Sequence, residues 1–175
     1  MNQASNLYAI LRRMIREEID QTPGFRELTG RSELPANVDA EKAILGAMML
    51  DNTVNLAQVE AGNFSLDSHQ RIWLAMDALM EAGKPVDIVT LKEHMGDGIK
   101  AIGGVAYLAS LTEGLPRLPR VSEYVAIVQE KAKLRRIMSA CIEAIKACQE
   151  QREAAAEIVG QLGVALKGIK KGNGK

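Results

Sequence analysis

The stretch Asn37–Leu50, with the sequence NVDAEKAILGAMML, decides how the rest of the chain is interpreted. Asn37 is a favourable N-cap residue, and Asp39 and Glu41 stand in the first turn, where the helix dipole favours carboxylates. The stretch predicts an amphipathic helix that opens a packed domain, because its large apolar residues recur at helical spacing. These residues are Ile44, Leu45, Met48 and Met49.

The residues that follow predict further helices and no strand. A short helix is expected at Val54–Val59, and a longer one at Leu66–Ala82 that ends at Gly83 in the C′ position. Asp87 is expected to cap the next helix, and Gly103-Gly104 opens another. The spacing of glycine and proline between these segments predicts short turns, so the region forms one helical head.

The C-terminal part carries an apolar seam of about seven turns with coiled-coil-like spacing. A shorter apolar stripe follows at 158–169, which predicts two antiparallel helices joined by a short turn. The first helix is longer than this second stripe, so part of its seam should stay uncovered and drive self-association. Val128, Ala132 and Ile142 are expected to add apolar surface beside the seam. The seam residues assigned to self-association are Tyr124, Ile127, Leu134, Met138, Cys141 and Ile145.

These patterns together predict an all-α fold. A globular helical head of about five to six helices is followed by an antiparallel helical hairpin. The predicted divisions are an N-terminal helix and linker at 1–34, the head at 35–116, the hairpin at 117–170 and a flexible basic tail at 171–175.

The charged residues are unevenly distributed, although the chain of 175 residues has a net charge of zero. Residues 37–115 hold 5 basic against 11 acidic residues, a net charge of −6. Residues 116–175 hold 12 basic against 6 acidic residues, a net charge of +6. Either these are ordinary solvated helix faces, or they steer the association of a partner.

No group of residues has the spacing of a catalytic or metal site. Cys141 and Cys148 lie seven residues apart on one helix face, where we expect small core residues and no metal or redox role. Gly96-Asp97-Gly98 with Lys100 lacks the spacing of a phosphate-binding loop, and no strand is predicted before it. The sequence therefore predicts no enzyme activity, no cofactor and no metal.

The sequence also predicts a cytoplasmic protein with no membrane contact. Arg12, Arg13 and Arg16 interrupt the N-terminal apolar positions, unlike a signal peptide. No uninterrupted apolar run approaches the length that crosses a bilayer.

An ordered series of short motifs, each weak alone, points to a family. The series resembles the N-terminal domain of DnaB-type replicative DNA helicases over roughly residues 35–165. Its members are PAN at 35–37, AEKAILGAMMLDN at 40–52, Asn63-Phe64, His69 with Ile72-Trp73, Ala75-Met76, GKPVDIVTL at 83–91, IGGVAYL at 102–108, Tyr124 with Ile127-Val128, and Leu134-Arg135-Arg136.

The resemblance implies a non-catalytic assembly and docking role in DNA replication, within the primosome. In this family the hairpins pair into dimers, and three dimers form a collar on the primase side of the helicase ring. The implied partners are further copies of the chain, the replicative helicase, and primase or a helicase loader. The motif residues are expected to be structural, because none brings an acid, a base and a nucleophile together. They are Glu41, Gly46, His69, Asp87, Thr90, Gly103, Gly104 and Tyr107.

Two alternatives stay open, because the sequence departs from the family pattern. The ATPase motor is not in this sequence, and the helix expected at Ser5–Asp20 is longer than usual. Met1 and this helix favour a complete gene product, which would be a stand-alone mimic of the helicase collar that regulates the helicase. The other alternative is a nucleic-acid-binding module that uses the basic C-terminal arm. That arm lacks an aromatic platform, so DNA contact is expected to be weak and indirect at most.

Overall fold

The computed structural model describes residues 34–114, 121–151 and 153–171. Within these ranges the chain forms six α-helices, two 3-10 helices and no strand, which confirms the predicted all-α fold. The predicted helix at 5–20, its linker and residues 172–175 of the predicted tail lie outside the described residues. The α-helices are α1 (Val38–Leu50), α2 (Asp67–Glu81), α3 (Ile88–Met95), α4 (Gly104–Ser110), α5 (Val121–Glu150) and α6 (Ala155–Lys171). The 3-10 helices are Ala61–Asn63 and Gly96–Ile102.

The predicted caps are confirmed. The Asn37 side chain accepts a hydrogen bond from the Ala40 backbone N–H at 3.0 Å, which begins α1. Gly83 has a φ of +64°, and its N–H donates to the Met80 carbonyl oxygen while the Lys84 N–H donates to that of Leu79. This pair of bonds is a Schellman motif, which ends α2 through the left-handed conformation that glycine adopts without strain.

The predicted short helix at Val54–Val59 is wrong, because this segment is irregular backbone with a turn at 57–58. Asp51 accepts a hydrogen bond from the Thr53 N–H at 2.9 Å, and Asn55 accepts one from the Ala57 N–H at 3.1 Å. Such bonds from aspartate and asparagine side chains to nearby backbone compete with helix formation. Val54 and Val59 therefore belong to an irregular segment, and their side chains pack onto the core.

Two compact units divide the chain, and the first holds Pro35–Ala132. Its core is built by α1, α2 and the shorter elements around them, and Phe64 packs beside Trp73 with ring centroids 5.6 Å apart. Fully burying side chains of this size stabilises the fold by about 1.5–3 kcal/mol each. The largest fully buried apolar side chains are Phe64, Ile44, Leu45, Met48, Ile72, Met76, Leu91, Leu108, Leu111 and Val86.

The second unit contains the described residues from Lys133 onward, with the rest of α5 and all of α6. Ile142 and Arg135 of α5 and Ile158 of α6 are buried there. Cys141 and Cys148 are exposed, so the prediction that they lie in a core is wrong.

The buried side of α5 also differs from the prediction. Val128 and Ala132 in the first unit, and Ile142 in the second, are buried rather than additional exposed surface. The buried path along the helix includes Arg135, and an arginine is rarely found inside a protein. An apolar pattern alone therefore favoured the neighbouring stripe, in which Lys131 is the one charged residue.

Candidate interaction site

A buried chain of hydrogen bonds joins three helices of the first unit. The Glu41 carboxylate lies 2.7 Å from His69 Nδ1, and His69 Nε2 lies 2.6 Å from the Tyr107 hydroxyl. The second oxygen of Glu41 accepts a hydrogen bond from the Ser65 backbone N–H at 2.7 Å. Glu41 and His69 are almost completely buried, whereas Tyr107 is half-buried. We call this set the Glu41–His69–Tyr107 relay.

The chemistry of the relay fixes its donors and acceptors. An ionised carboxylate only accepts hydrogen bonds, so His69 donates through Nδ1, and in the neutral imidazole Nε2 accepts from the Tyr107 hydroxyl. Burial raises the pKa of Glu41, but hydrogen bonds from His69 and Ser65 outweigh it and hold the pKa below its ordinary value. Burial, and secondly the charge of Glu41, raise the pKa of the Tyr107 phenol.

The relay ties α1, α2 and α4 together. Gly103 precedes α4 with a φ of +99°, and a Cβ built on it would lie 3.0 Å from the Tyr107 Cβ. Glycine at this position therefore lets the chain turn tightly enough to bring Tyr107 to His69. The neighbouring Gly104 also has a positive φ, of +77°.

The other predicted motif residues lie at separate places in the first unit. Asp87 and Thr90 form a capping box at the start of α3, in which each side chain bonds the other residue's backbone N–H at 2.8 and 3.0 Å. The Thr90 backbone N–H bond is the largest cause of the lowered pKa of Asp87. Gly46 is buried in α1.

Asn52 has a role that the sequence analysis missed. Its side-chain amide donates to the Met48 and Val86 carbonyl oxygens at 2.7 and 3.0 Å, and accepts from the Val86 N–H at 2.7 Å. This bidentate contact joins the end of α1 to the segment before α3, 34 residues further along. The motif AEKAILGAMMLDN ends on this residue, but nothing in the sequence pairs it with Val86.

The residues predicted for self-association are not one continuous exposed seam. Tyr124 is half-buried and packs against the core of the first unit. Ile127, Leu134 and Ile145 are 38–42% exposed, Cys141 is exposed and Met138 is half-buried.

Large apolar side chains are also exposed on the second unit at positions that the sequence analysis did not assign. Ile137 of α5 is 37% exposed, and Val159 and Val164 of α6 are 71% and 72% exposed. Leu166, from the predicted stripe of α6, is exposed as well. The described part of the second unit therefore presents uncovered apolar side chains on both of its helices.

The surface of the first unit is acidic. Nine of its eleven acidic residues within 37–114 are exposed, whereas Glu41 and Asp87 are covered to different degrees. Two of the exposed carboxylates form local ion pairs, Asp67 with Arg71 and Asp97 with Lys100. The exposed acidic residues are Asp39, Asp51, Glu60, Asp67, Asp77, Glu81, Glu93, Asp97 and Glu113.

The described residues form neither a metal-binding cluster nor a membrane-spanning helix. Among them, no group of three or more His, Cys, Asp or Glu side chains could hold a metal ion. In the same part of the chain, no helix is both long and apolar enough to cross a membrane.

Comparisons with known proteins agree with this geometry. Residues 33–130 match the family model of the DnaB-like helicase N-terminal domain. The replicative DNA helicase DnaB of Treponema pallidum is 36% identical over 118 residues, which are 65% of this chain and 27% of that protein. DnaB of Geobacillus stearothermophilus is 36% identical over 109 residues, 59% of this chain and 24% of that protein.

Solved structures show the same similarity. The crystal structure of the N-terminal domain of DnaB helicase from Mycobacterium tuberculosis matches 77% of this chain and 99% of its own length, with 27% identity and a TM-score of 0.71. A DnaB-like replicative helicase, described together with its interactions with primase, matches 78% of this chain and 32% of its own length. Its identity is 20% and its TM-score is 0.65, so this likeness shows the fold alone.

The fold is thus that of the helical N-terminal domain of replicative helicases. The chain belongs to the family of DnaB-like helicase N-terminal domains, since the family model covers more than half of it. It spans about a quarter of the length of the curated relatives named above, and matches their N-terminal domain and not an ATPase motor.

Proposed function

We propose that this chain is a non-catalytic assembly and docking domain of a replicative DNA helicase. The observation that carries the proposal is the match of residues 33–130 to the N-terminal domain of DnaB-like helicases. The uncovered apolar side chains of α5 and α6 support the assembly role, and the acidic surface of the first unit supports docking. ATP hydrolysis and DNA unwinding belong to a motor that this domain does not contain.

Self-association is supported by the cost of leaving apolar surface in water. Soluble monomers rarely expose contiguous apolar surface beyond a few hundred Å², and larger patches mark interaction sites. Leu134, Ile137 and Ile145 lie within one helix, close enough in sequence to form such a surface together. A symmetric dimer uses the same surface patch on both subunits. A second copy of the chain presents the same apolar surface and is therefore the partner that we propose.

Docking of a replication partner is supported by charge. Within 37–114 the first unit presents nine exposed carboxylates. A surface of one sign attracts a partner of opposite sign and speeds its association. We infer a partner with a basic docking surface, either primase or a helicase loader, and the same docking face serves whether or not a motor follows in the polypeptide.

Pull-down with primase and the helicase loader of the same organism tests the docking role. Asp77 and Glu81 are exposed and one turn apart on α2, so Asp77→Lys with Glu81→Lys reverses the charge of one face. We expect the unchanged chain to retain at least one of the two partners, and the reversed chain to retain less of it.

The matched control is Glu157→Lys, which makes the same kind of change on the exposed side of α6. It should leave binding unchanged if the first unit supplies the docking face. Folded chain that retains neither primase nor a loader would contradict the docking role. Equal losses of partner binding with both sets of substitutions would contradict the assignment of the docking face to the first unit.

A further inference from the structure

One side of α6 carries apolar and small residues that the described part of the second unit leaves largely uncovered. At about 100° per residue, this side lies between about 80° and 160° around the helix from the buried Ile158. Val159 is 71% and Leu166 is 37% exposed. A Cβ built on Gly163 would meet nothing within 4 Å, so a neighbouring helix has room to approach closely. We call this side the α6 face, and it consists of Ala156, Val159, Gly163 and Leu166.

The sequence before the first unit contains an apolar stripe of matching length. A helix is predicted at residues 5–20, which lie outside the described residues. At 16 residues it would be about 24 Å long, against about 25 Å for the 17 residues of α6. A helix of this length is only marginally stable in water by itself, so it depends on a surface that covers its apolar side. The stripe residues are Leu7, Ile10, Leu11, Met14 and Ile15.

The residues between this segment and the first unit determine how far it can reach. Residues 21–33 connect it to Leu34, where the described chain starts. In an extended conformation these 13 residues span about 43–47 Å. Helix α5, which begins in the first unit and continues into the second, has 30 residues and is about 45 Å long. The connection is therefore long enough for the segment to reach the second unit of its own chain.

Charge favours a parallel arrangement of the segment and α6. The segment ends with the acidic residues Glu17, Glu18 and Asp20, and residues 167–171 at the end of α6 include three lysines. In a parallel pair these two ends lie side by side, and their opposite charges attract each other. An antiparallel pair would instead place the three acidic residues beside the exposed Glu157 at the start of α6.

We propose that residues 5–20 dock on the α6 face of their own chain, parallel to α6. The segment then covers Val159, Gly163 and Leu166, whereas Val164 on another side of α6 stays open. This docking needs no second copy of the chain, so it goes beyond the assembly role proposed above. It restricts the apolar surface that other copies can contact to α5 and to the remaining sides of α6.

Hydrogen exchange of the full-length chain, measured by mass spectrometry of its peptides, tests the proposal. The reference is a synthetic peptide of residues 1–20. We expect the amides of residues 5–20 to exchange more slowly in the chain than in the peptide, by on the order of tenfold or more, because a docked helix exchanges only when it opens. Equal exchange of these residues in the folded chain and in the peptide would overturn the proposal.

Dilution separates docking within one chain from docking on a second copy. An intramolecular contact does not depend on protein concentration, so the protection of residues 5–20 should not change when the chain is diluted. Protection that falls on dilution would assign the segment to a second copy and would overturn the proposal. A chain that sediments as a monomer with this segment protected would refute self-association but support the docking.

Val159→Glu and Val164→Glu are a matched pair of substitutions. The two valines are 71% and 72% exposed, and they lie about 140° apart around α6. Val159→Glu places a charge against the apolar stripe and should return residues 5–20 to the exchange rate of the peptide. Val164→Glu should leave their protection unchanged. Circular dichroism checks that both variants remain helical, and equal effects of the two substitutions would contradict the α6 face as the docking site.

Leu11→Glu tests the same contact from the segment. Its control is Ala9→Glu, because Ala9 lies about 160° from Leu11 around the predicted helix. Leu11→Glu should remove the protection of residues 5–20 and speed the exchange of residues 159–166, whereas Ala9→Glu should do neither. Protection that survives Leu11→Glu, or exchange at 159–166 that stays unchanged when the segment is released, would overturn the proposal.

Discussion

The buried Glu41 carboxylate is stabilised in the core by hydrogen bonds from the groups that surround it. The His69 ring and the Ser65 backbone N–H both bond it, and the resulting relay reaches the half-buried Tyr107. Removing a partner from such a site leaves a buried polar group unsatisfied, at a cost of about 1–3 kcal/mol. We therefore interpret Glu41, His69 and Tyr107 as residues that hold three helices in register.

Glu41→Gln tests this interpretation through the pH dependence of stability. The pKa of Glu41 is lowered in the folded chain, so between the folded and unfolded pKa values the unfolded state binds more protons. The contribution of Glu41 is therefore present above the ordinary glutamate pKa of about 4.3 and is lost as pH falls through the folded pKa. Glutamine does not titrate, so the variant should lose less stability over this acidic range.

The measurement is the free energy of unfolding in urea at neutral pH and through the acidic range. At neutral pH the variant should be less stable by about 2 kcal/mol, because a hydrogen bond to a charged group is lost. Asp51 and Asp87 also have lowered pKa values, so both chains keep part of the pH dependence. Exposed Glu81→Gln is the control, and a pH profile equal to that of Glu41→Gln would contradict the role of the relay.

At the scale of single elements, the sequence correctly predicted the helix caps and ends that depend on contacts between neighbouring residues. The Asn37 cap, the Gly83 helix end and the Asp87–Thr90 box each depend on residues within a few positions, so they were predicted correctly. Contacts between distant residues were not predictable in this way. The first and last residues of the relay, 41 and 107, are 66 positions apart in the sequence, and its members were identified only as separate structural residues.

The buried side of α5 illustrates the same limit. Apolar spacing fits several stripes of one helix, and the structure buries the one that includes Arg135. The tertiary environment decides which stripe is covered, so Cys141 and Cys148 were assigned to a core although they are exposed. For the same reason, some of the residues predicted for the self-association seam are exposed in the structure and others are half-buried.

Asn52→Ala tests the contact between the end of α1 and the segment before α3. The substitution removes three hydrogen bonds, and the buried Val86 loses the partner of its backbone N–H and one partner of its carbonyl oxygen. We expect a loss of about 2 kcal/mol in the free energy of unfolding, since an unsatisfied buried group costs about 1–3 kcal/mol.

Asn55→Ala is the matched control for this substitution. Asn55 is exposed, and its side chain accepts a single local hydrogen bond from the Ala57 N–H. Its replacement should change stability by less than Asn52→Ala does. Equal losses, measured by urea unfolding, would show that Asn52 contributes only to its own turn.

At the scale of the whole molecule, two kinds of surface bear on the proposed role. The first unit carries nine exposed carboxylates within 37–114, and the second carries exposed apolar residues on both of its helices, although each unit exposes some residues of the other kind. The sequence predicted the net charge of −6 at 37–115, whereas the predicted apolar seam is only partly exposed and did not include Ile137, Val159 and Val164. The acidic surface of the first unit is the one that we propose for docking, and the apolar residues of α5 and α6 are those that we propose for assembly.

The purified chain should show no ATP turnover above background and should not unwind DNA. The family match concerns the N-terminal domain, and the motif Gly96-Asp97-Gly98 lies in a 3-10 helix rather than after a strand. A colourimetric phosphate assay checks this expectation, with Lys100→Ala as the variant that removes the nearby lysine. Turnover that persists through further purification and is lost in Lys100→Ala would refute it.

The oligomeric state tests the assembly role most directly. Ile145→Glu places a charge where the α5 side chain is 42% exposed, whereas Ile142→Glu places one where the side chain is 7% exposed. The Ile145→Glu variant should remain helical and lose only its association with a second copy of the chain. The second should be destabilised by several kcal/mol, roughly, because an unpaired charge is buried.

Sedimentation velocity at about 10 µM, far above the nanomolar dissociation constants of stable dimers, is the decisive measurement. We predict that the unchanged chain sediments as a dimer or larger species and that Ile145→Glu sediments as a folded monomer. An unchanged chain that sediments as a monomer would contradict the proposed assembly domain. A variant that stays associated would show that the exposed face of α5 is not the contact.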